Sequence, residues 1–520
     1  MIRRKPDCSE VVDPIPMKAQ STKKTWWNSS SAIILPILIA LIFFAFTFSY
    51  YPFREKLQYD TDEGLNLMRS MLVELGHPLY QEVSSDQPPL FNEALALVFH
   101  VAGFEVNAAR LLVLLFSTLL VWSCAQFLQV TWGKLATILF LPLIVMTPRY
   151  LDLSVAVMIG VPSIALAAAS MLFVVLWHQQ RKNLWLVLSG FMLAMSVLIK
   201  LFTGLLAPIF LIGMTIELYL DRKGEKFSWQ VLRPALIWGV SFAGLGLLLG
   251  LALIGPRNVW SIIYPHWMAP SQEYFQSDGY SINVQLQAAV PLILLSFLGV
   301  IVTIYQRNWL TLYPLAWAIV AYVAFRFYSP VFYHHQLLVT IPLAVIAAAG
   351  VAEGILTLLR LKGIADLIRP QALLGLGAVV GFILISILYF PGLNKELSNS
   401  PRLSGFDLKA SSAKLRILQT MNEYADQTHW IMTDVPMYAF RVHKPVPPNL
   451  ATISQKRLTT GSLTDQDILN AMKEYRPEQV LIARFQIPAL EDYLQKNYTL
   501  ILSPEYFRLF LRNDIKPISN

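Results

Sequence analysis

The sequence predicts a polytopic α-helical membrane protein with a small soluble α/β domain at its C-terminal end. Three observations predict it. Hydrophobic residues make up 55% of the 520 and charged residues only 14%, a balance typical of bilayer-embedded chains. Apolar runs of roughly the ~20 residues that cross a bilayer recur from Ser31 onward. From about Asn394 polar residues dominate, and short apolar runs alternate with helical patterns.

Residues 1–31 form a basic tail (Arg3, Arg4, Lys5, Lys18, Lys23, Lys24), expected in the cytoplasm by the positive-inside rule. The apolar run after it has the length of a span and lacks a clear small-residue cleavage site, so it reads as an anchor. Much of the net charge of +8 sits in short loops suited to anionic lipid, so the charge does not imply a nucleic-acid partner. Cys8 and Cys124 alone exclude a disulfide framework and a Cys/His zinc spacing.

Spans are expected at 32–51, 107–130, 134–148, 153–177, 183–199, 201–220, 234–254, 288–305, 309–326, 336–358 and 371–390, about eleven in all. The segment 88–104 is apolar but short, and it carries Asn92, Glu93 and His100. Charge parity decides its place. The N-terminal tail and the loop HQQRKN are both basic, so an even number of spans should separate them. Four spans already do, which leaves 88–104 as an amphipathic helix along the outer surface. The basic loops at 221–233, Arg307 and 360–369 then fall inside, and the C-terminus falls outside. The expected protein is a multi-pass protein of the plasma (inner) membrane, with a transmembrane unit 32–393 and an extracytoplasmic domain 394–520. In that domain 429–433 and 479–483 read as buried strands and 498–501 with 507–511 as a strand pair. Residues 465–475 read as an amphipathic helix capped by Thr464 or Asp465.

The expected outer side gathers the polar chemistry. The stretch 59–90, within an outer loop 53–106, holds Asp60, Asp62, Glu63 and Asp86 together with Arg69 and His77. Arg110, Arg149, Asp152, Lys200, Arg257, His266, Arg326, His334 and His335 fall on the same side. The cations among them run against the positive-inside trend. Singly each reads as interfacial snorkelling; as a set beside several acids they read as an anion-binding active site. A transporter or lipid-handling protein is the alternative. It calls for charges deep within spans, whereas here they collect at one face and the long runs lack acids through their middles. A scaffold that works through its C-terminal domain is a further rival, against which the intact Asp62–Glu63 pair argues.

The succession DEG (62–64), GHPLY (76–80), DQPPL (86–90), AARL (108–111) and RYLD (149–152) resembles the polyprenyl-phosphate-sugar-dependent glycosyltransferases of the GT-C fold. Protein O-mannosyltransferases and lipid A aminoarabinose transferases form that branch. The resemblance covers roughly 32–360, and its order and spacing are more specific than any one piece. It implies that Asp62, inside its Asp-Glu pair with Glu63, is the catalytic residue, with Asp60 a neighbouring competitor. It also implies a second outer pair in Arg149 and Asp152, and in Lys200 a basic residue near a lipid phosphate. Arg110, Arg149 and Lys200 are then the donor-phosphate candidates, and Asp86, Asp152, His266, His334 and His335 the substrate-binding ones.

The implied partners are a polyprenyl-phosphate-linked sugar donor, a hydroxyl acceptor on protein, lipid or glycan, and the surrounding membrane lipids. The implied chemistry is transfer at the outer face, with inversion. Such a donor is already activated. The enzyme need only remove a proton from the acceptor hydroxyl and stabilise charge on the departing phosphate. No cofactor is required by the sequence. Asp60, Asp62, Glu63 and the histidines offer donors for a divalent cation, but without tight ligand spacing. The resemblance says little about 394–520, which is expected to pack over the outer loops and help select the acceptor.

Overall fold

The computed structural model describes residues 31–221, 229–363, 367–398 and 411–516. The expected basic tail before Ser31 and most of the basic loop 221–233 lie outside the described residues, as does much of the stretch around the expected boundary at 394. The transmembrane part runs α1 (Ser31–Tyr50), α2 (Thr61–Glu74), α3 (Leu90–Ala102), α4 (Val106–Thr131), α5 (Lys134–Val145), α6 (Tyr150–Leu153), α7 (Gly160–Gln180) and α8 (Asn183–Val197). It continues with α9 (Leu206–Asp221), α10 (Trp229–Leu253), α11 (Val259–Met268), α12 (Ile282–Gln285), α13 (Val290–Gln306), α14 (Leu312–Arg326), α15 (Leu337–Leu359) and α16 (Pro370–Ser398).

Among the described residues eight helices are long and apolar enough to cross a membrane, and the chain is a multi-pass membrane protein. They fall on eight of the expected runs. The other three runs, at 134–145, 183–197 and 201–216, are shorter apolar helices. Helices α7 and α15 form the centre, with 94% and 83% of their apolar windows buried, whereas α10 and α16 lie at the rim with 6% and 11%. Small residues let the central helices approach closely. A Cβ added at Gly299 of α13 would lie 2.3 Å from the Ile346 carbonyl oxygen of α15, so that crossing needs glycine.

The fourth expected span starts later than its apolar run. Residues 154–159 turn after the short α6, and the helix begins at Gly160. Pro162 explains the boundary, because a proline lacks the N–H that a helix interior needs and is tolerated in the first turn. The displaced residues Met158 and Ile159 line the cavity described below.

Helix α3 has 13 residues, fewer than a bilayer crossing needs. Its buried face (Phe91, Leu95, Phe99) packs inward, while Leu97 and Val101 are exposed. Phe99 and Phe104 meet Phe440 of the C-terminal domain, tilted at 5.3 Å and edge-on at 6.4 Å.

The C-terminal domain adds α17 (Ser412–Glu423), β1 (Ile431–Thr433), α18 (Met437–Arg441), α19 (Gln455–Thr459), α20 (Asp465–Tyr475), β2 (Gln479–Ile482), α21 (Pro488–Asn497), β3 (Tyr498–Leu502) and β4 (Arg508–Arg512). Its sheet has the order β1-β2-β4-β3. β1 and β2 are parallel, with Met432 opposite Val480, and the remaining pairs are antiparallel, with Phe510 opposite both Val480 and Leu500. Thr464 is the cap of α20, forming a reciprocal capping box with Asp467. This domain has no separate core on its inner face. Leu67, Met68, Met71, Phe91 and Leu95 share one apolar cluster with Ile417, Met437, Phe440, Leu481 and Leu509. The approach is close: a Cβ on Gly64 of α2 would meet the Met437 backbone nitrogen at 2.6 Å.

Candidate active site

Helix α2 begins at the acid cluster. Asp60 is extended, with φ −151°, and its carboxylate caps the helix by accepting the Asp62 N–H at 2.9 Å. Capping anchors Asp60 locally, while Asp62 stands one residue inside the first turn. Both line a cavity of about 540 Å³ between the bundle and the C-terminal domain. The cavity also takes in Asn66 and Arg69 from α2, Asp86, and Lys200 from the turn after α8. Of the sequence candidates it gathers Asp60, Asp62, Asp86, Lys200, His266, His334 and His335.

Four candidates are placed elsewhere. Glu63 and Arg110 have side chains 0% exposed and pair with each other, Nε to Oε1 and Nη2 to Oε2 both at 2.9 Å. Arg110 also donates to the carbonyls of Phe53 at 2.6 Å and Lys56 at 2.9 Å, and Glu63 accepts the N–H of Tyr59 at 2.9 Å and Val157 at 3.2 Å. The pair clamps the approach to α2 onto α4, and none of its polar groups faces the cavity. Arg149 is 64% exposed, stands 3.7 Å from Asp152 and lies over the Tyr333 ring at 5.9 Å. Asp152 accepts from Tyr51 at 2.5 Å and Lys56 at 2.9 Å. These two sit beside the cavity rather than on its wall.

Burial and like charges shape the titration of the acids. Burial, then the Asp60 and Asp86 carboxylates, push Asp62 up to about 6, with Arg69 and Lys456 opposing. Burial alone would raise Asp86, but Lys456, His266 and Arg69 hold it well below the usual carboxylate range. Burial, assisted by Lys456 and opposed by Asp62, pushes Lys200 down to about 7. His266 is held at about 4, chiefly by burial and then by Lys456. A neutral His266 can donate from Nε2 to the Asp86 carbonyl at 3.0 Å and accept the Tyr328 hydroxyl at Nδ1, 3.2 Å away. The Phe202 ring meets Tyr328, His335 and His266 edge-on at 5.0, 5.5 and 6.1 Å, which fixes this wall. Tyr274, Tyr280 and Phe332 add aromatic rings to the lining. Among the described residues no group of three or more His, Cys, Asp or Glu is arranged to hold a metal ion.

The C-terminal domain completes the enclosure. Thr452, Ser454, Lys456, Arg484 and Phe485 line the cavity. Asp434 fixes the last two by accepting the N–H groups of Ala483, Arg484 and Phe485 at 2.9, 2.7 and 2.8 Å. Arg441 donates to the Lys56 and Leu57 carbonyls at 3.1 and 2.8 Å, tying the domain to the residues before α2. Sequence reasoning missed Lys456, Arg484 and the tyrosines as site residues. Nothing local distinguishes a lysine on a short polar helix from a solvated one.

The bundle with a charged cavity under a C-terminal α/β domain has counterparts among known membrane proteins, and with them it has the GT-C fold. Residues 86–260 match the family model of the dolichyl-phosphate-mannose-protein mannosyltransferases, from the DQPPL motif to the start of α11. The chain is similar in structure to ArnT from Cupriavidus metallidurans in the apo state, with 14% identity, TM-score 0.58, and coverage of 94% of this chain and 98% of that one. ArnT bound to undecaprenyl phosphate gives 12% identity, TM-score 0.57, and coverage of 93% and 98%. The apo oligosaccharyltransferase of Archaeoglobus fulgidus gives 12% identity, TM-score 0.54, and coverage of 88% of this chain and 70% of that one. At such identities the likeness establishes the fold, and the resemblance of the sequence to GT-C proteins is borne out. No curated protein sequence matches the chain.

Proposed function

We propose that this protein is an integral membrane glycosyltransferase that moves a sugar from a polyprenyl-phosphate donor to a hydroxyl acceptor, with inversion. The observation that carries the reading is the shared enclosure of a half-buried carboxylate poised near neutrality, Asp62, and a buried cation, Lys200. The match to a mannosyltransferase family model and the undecaprenyl phosphate named with ArnT support a lipid-linked donor. Asp62 takes the acceptor proton as the hydroxyl attacks the anomeric carbon. The bond to phosphate oxygen breaks, and Lys200 balances the released phosphate charge. Loop charges support a cavity facing outward from the plasma membrane, with the N-terminus inside.

Mass spectrometry of lipid-linked sugars and envelope glycans, with and without the gene, tests the reading. Loss of the gene should raise one polyprenyl-phosphate sugar and remove the same sugar from a glycan, lipid or protein. An unchanged pair of profiles refutes it.

Lys200 carries its own expectation. Lys200→Met should weaken binding of undecaprenyl phosphate in detergent micelles by about 2 kcal/mol or more, the scale of losing a desolvated charged contact. In the parent protein that binding should weaken as pH rises through about 7, where free Lys200 loses its proton. A pH-independent affinity equal in parent and variant would remove Lys200 from the phosphate site.

A further inference from the structure

The C-terminal domain enters the cavity at a point where charge matters. Ser454 caps α19 by accepting the Arg457 N–H at 3.4 Å, and the short helix sets the Lys456 ammonium against the Asp86 carboxylate. Their side chains are 14% and 10% exposed, so the pair is largely withdrawn from water, where charges act more strongly. Its seat is fixed. Arg457 donates to the Thr452 carbonyl at 2.8 Å and the Ser84 hydroxyl at 3.2 Å, and the Thr452 hydroxyl donates to the Ser84 carbonyl at 3.2 Å.

Charged groups from several elements face Asp62 across the cavity. Asp60 and Arg69 come from α2 and its cap, Asp86 from the loop before α3, and Lys456 from α19. Lys200 follows α8, and Tyr333 precedes α15. Beyond them His266, His334 and His335 face Lys200 and Lys456, and Arg457 faces Asp86. Of the cations around Asp60, Asp62 and Asp86, Lys456 is the one that forms an ion pair with Asp86 among the described residues.

We infer that the C-terminal domain is a working part of the site: Lys456 neutralises Asp86 and thereby keeps Asp62 ionised and able to accept a proton. The inference rests on Asp62 being the base, as proposed above, but its test needs no turnover. Without Lys456, Asp86 becomes an unpaired anion beside Asp62, and like charges oppose ionisation. Asp62 already stands at about 6, so a modest rise would leave it protonated at neutral pH. Lys456 acts on Asp62 both through Asp86 and by its own charge, without touching the reacting atoms.

The experiment is a carboxyl titration of the full-length protein in micelles by infrared difference spectroscopy, with Asp62→Asn identifying the Asp62 band. Lys456→Met should raise the midpoint of that band by about one pH unit or more, and Lys456→Arg should restore it. Asp86→Asn should lower the midpoint, because Lys456 then faces Asp62 without a nearer anion. An unmoved midpoint in folded Lys456→Met overturns the inference, and so does a rise in Asp86→Asn. Should Lys456→Met fail to fold, the sign of the Asp86→Asn shift decides alone. A shifted band in a protein that still turns over as Asp62→Asn would refute the base assignment and uphold the coupling. An unmoved band with Asp62 essential would do the reverse.

Discussion

Asp62→Asn is expected to lower transfer turnover at least ~10²-fold, the usual contribution of a positioned general base. The variant keeps size and loses only basicity. An ordinary aspartate, near ~3.9, is a weak base; desolvation and the neighbouring Asp60 and Asp86 bring Asp62 to about 6. Turnover in the parent should therefore fall as pH drops through about 6. Stability moves the other way. The folded pKa lies above the ordinary aspartate value of 3.8, so the folded state binds the proton more tightly, and the Asp62 contribution to stability declines as pH rises from about 4 to about 6. Asp62→Asn should accordingly be as stable as the parent at neutral pH, or more so, which separates lost chemistry from lost folding. Asp60→Asn should cost much less, since asparagine also caps helices well. Purified variants assayed with a polyprenyl-phosphate sugar and an acceptor decide the matter. Near-normal turnover in Asp62→Asn sinks the assignment, and a collapse confined to Asp60→Asn moves the base to that residue.

The largest effect on folding is expected at Arg110. Arg110→Met would leave the Glu63 carboxylate buried without its cation, and removing one partner of such a pair typically costs 3–5 kcal/mol. It would also free the carbonyls of Phe53 and Lys56, which now accept from the guanidinium. The thermal midpoint of the purified variant should drop well below that of the parent, with undecaprenyl phosphate affinity per folded molecule unchanged. Replacing both partners by methionine should recover much of the loss, because an apolar pair carries no desolvation cost. A stable Arg110→Met that fails to bind undecaprenyl phosphate would instead place Arg110 in the donor site.

The sequence makes legible what depends on local composition. Apolar length located the helices of the expected spans, although α7 starts later than its apolar run, which continues through 153–159 where the backbone has not yet become helical, and α2 and α11 fall in stretches read as outer loops. Thr464 was readable as a cap because capping acts over three residues. The cluster Asp60, Asp62, Asp86 stood out as acids in an apolar chain, and the cavity gathers all three. What stayed hidden is pairing over distance. Glu63 and Arg110 look like two more members of a polar site, and only three-dimensional contact shows that they satisfy each other. Arg149 and Asp152 share a motif with the family, yet their side chains turn to each other, Lys56 and Tyr51. Lys456 has no distinguishing neighbours in sequence, and its partner Asp86 lies at the other end of the chain.

The apolar cluster that joins α2 and α3 to the C-terminal domain has a consequence for biosynthesis. Leu67, Met71 and Phe91 are made early, but Phe440, Leu481 and Leu509, against which they pack, are made only after the helices of the bundle. Contacts so far apart in sequence form slowly, and early apolar surface stays uncovered meanwhile. A ribosome that has finished α16 has therefore produced a bundle whose cavity lacks one wall. Such an intermediate exposes sticky surface where the finished molecule has its site, and it is the species a membrane chaperone or quality-control protease would meet.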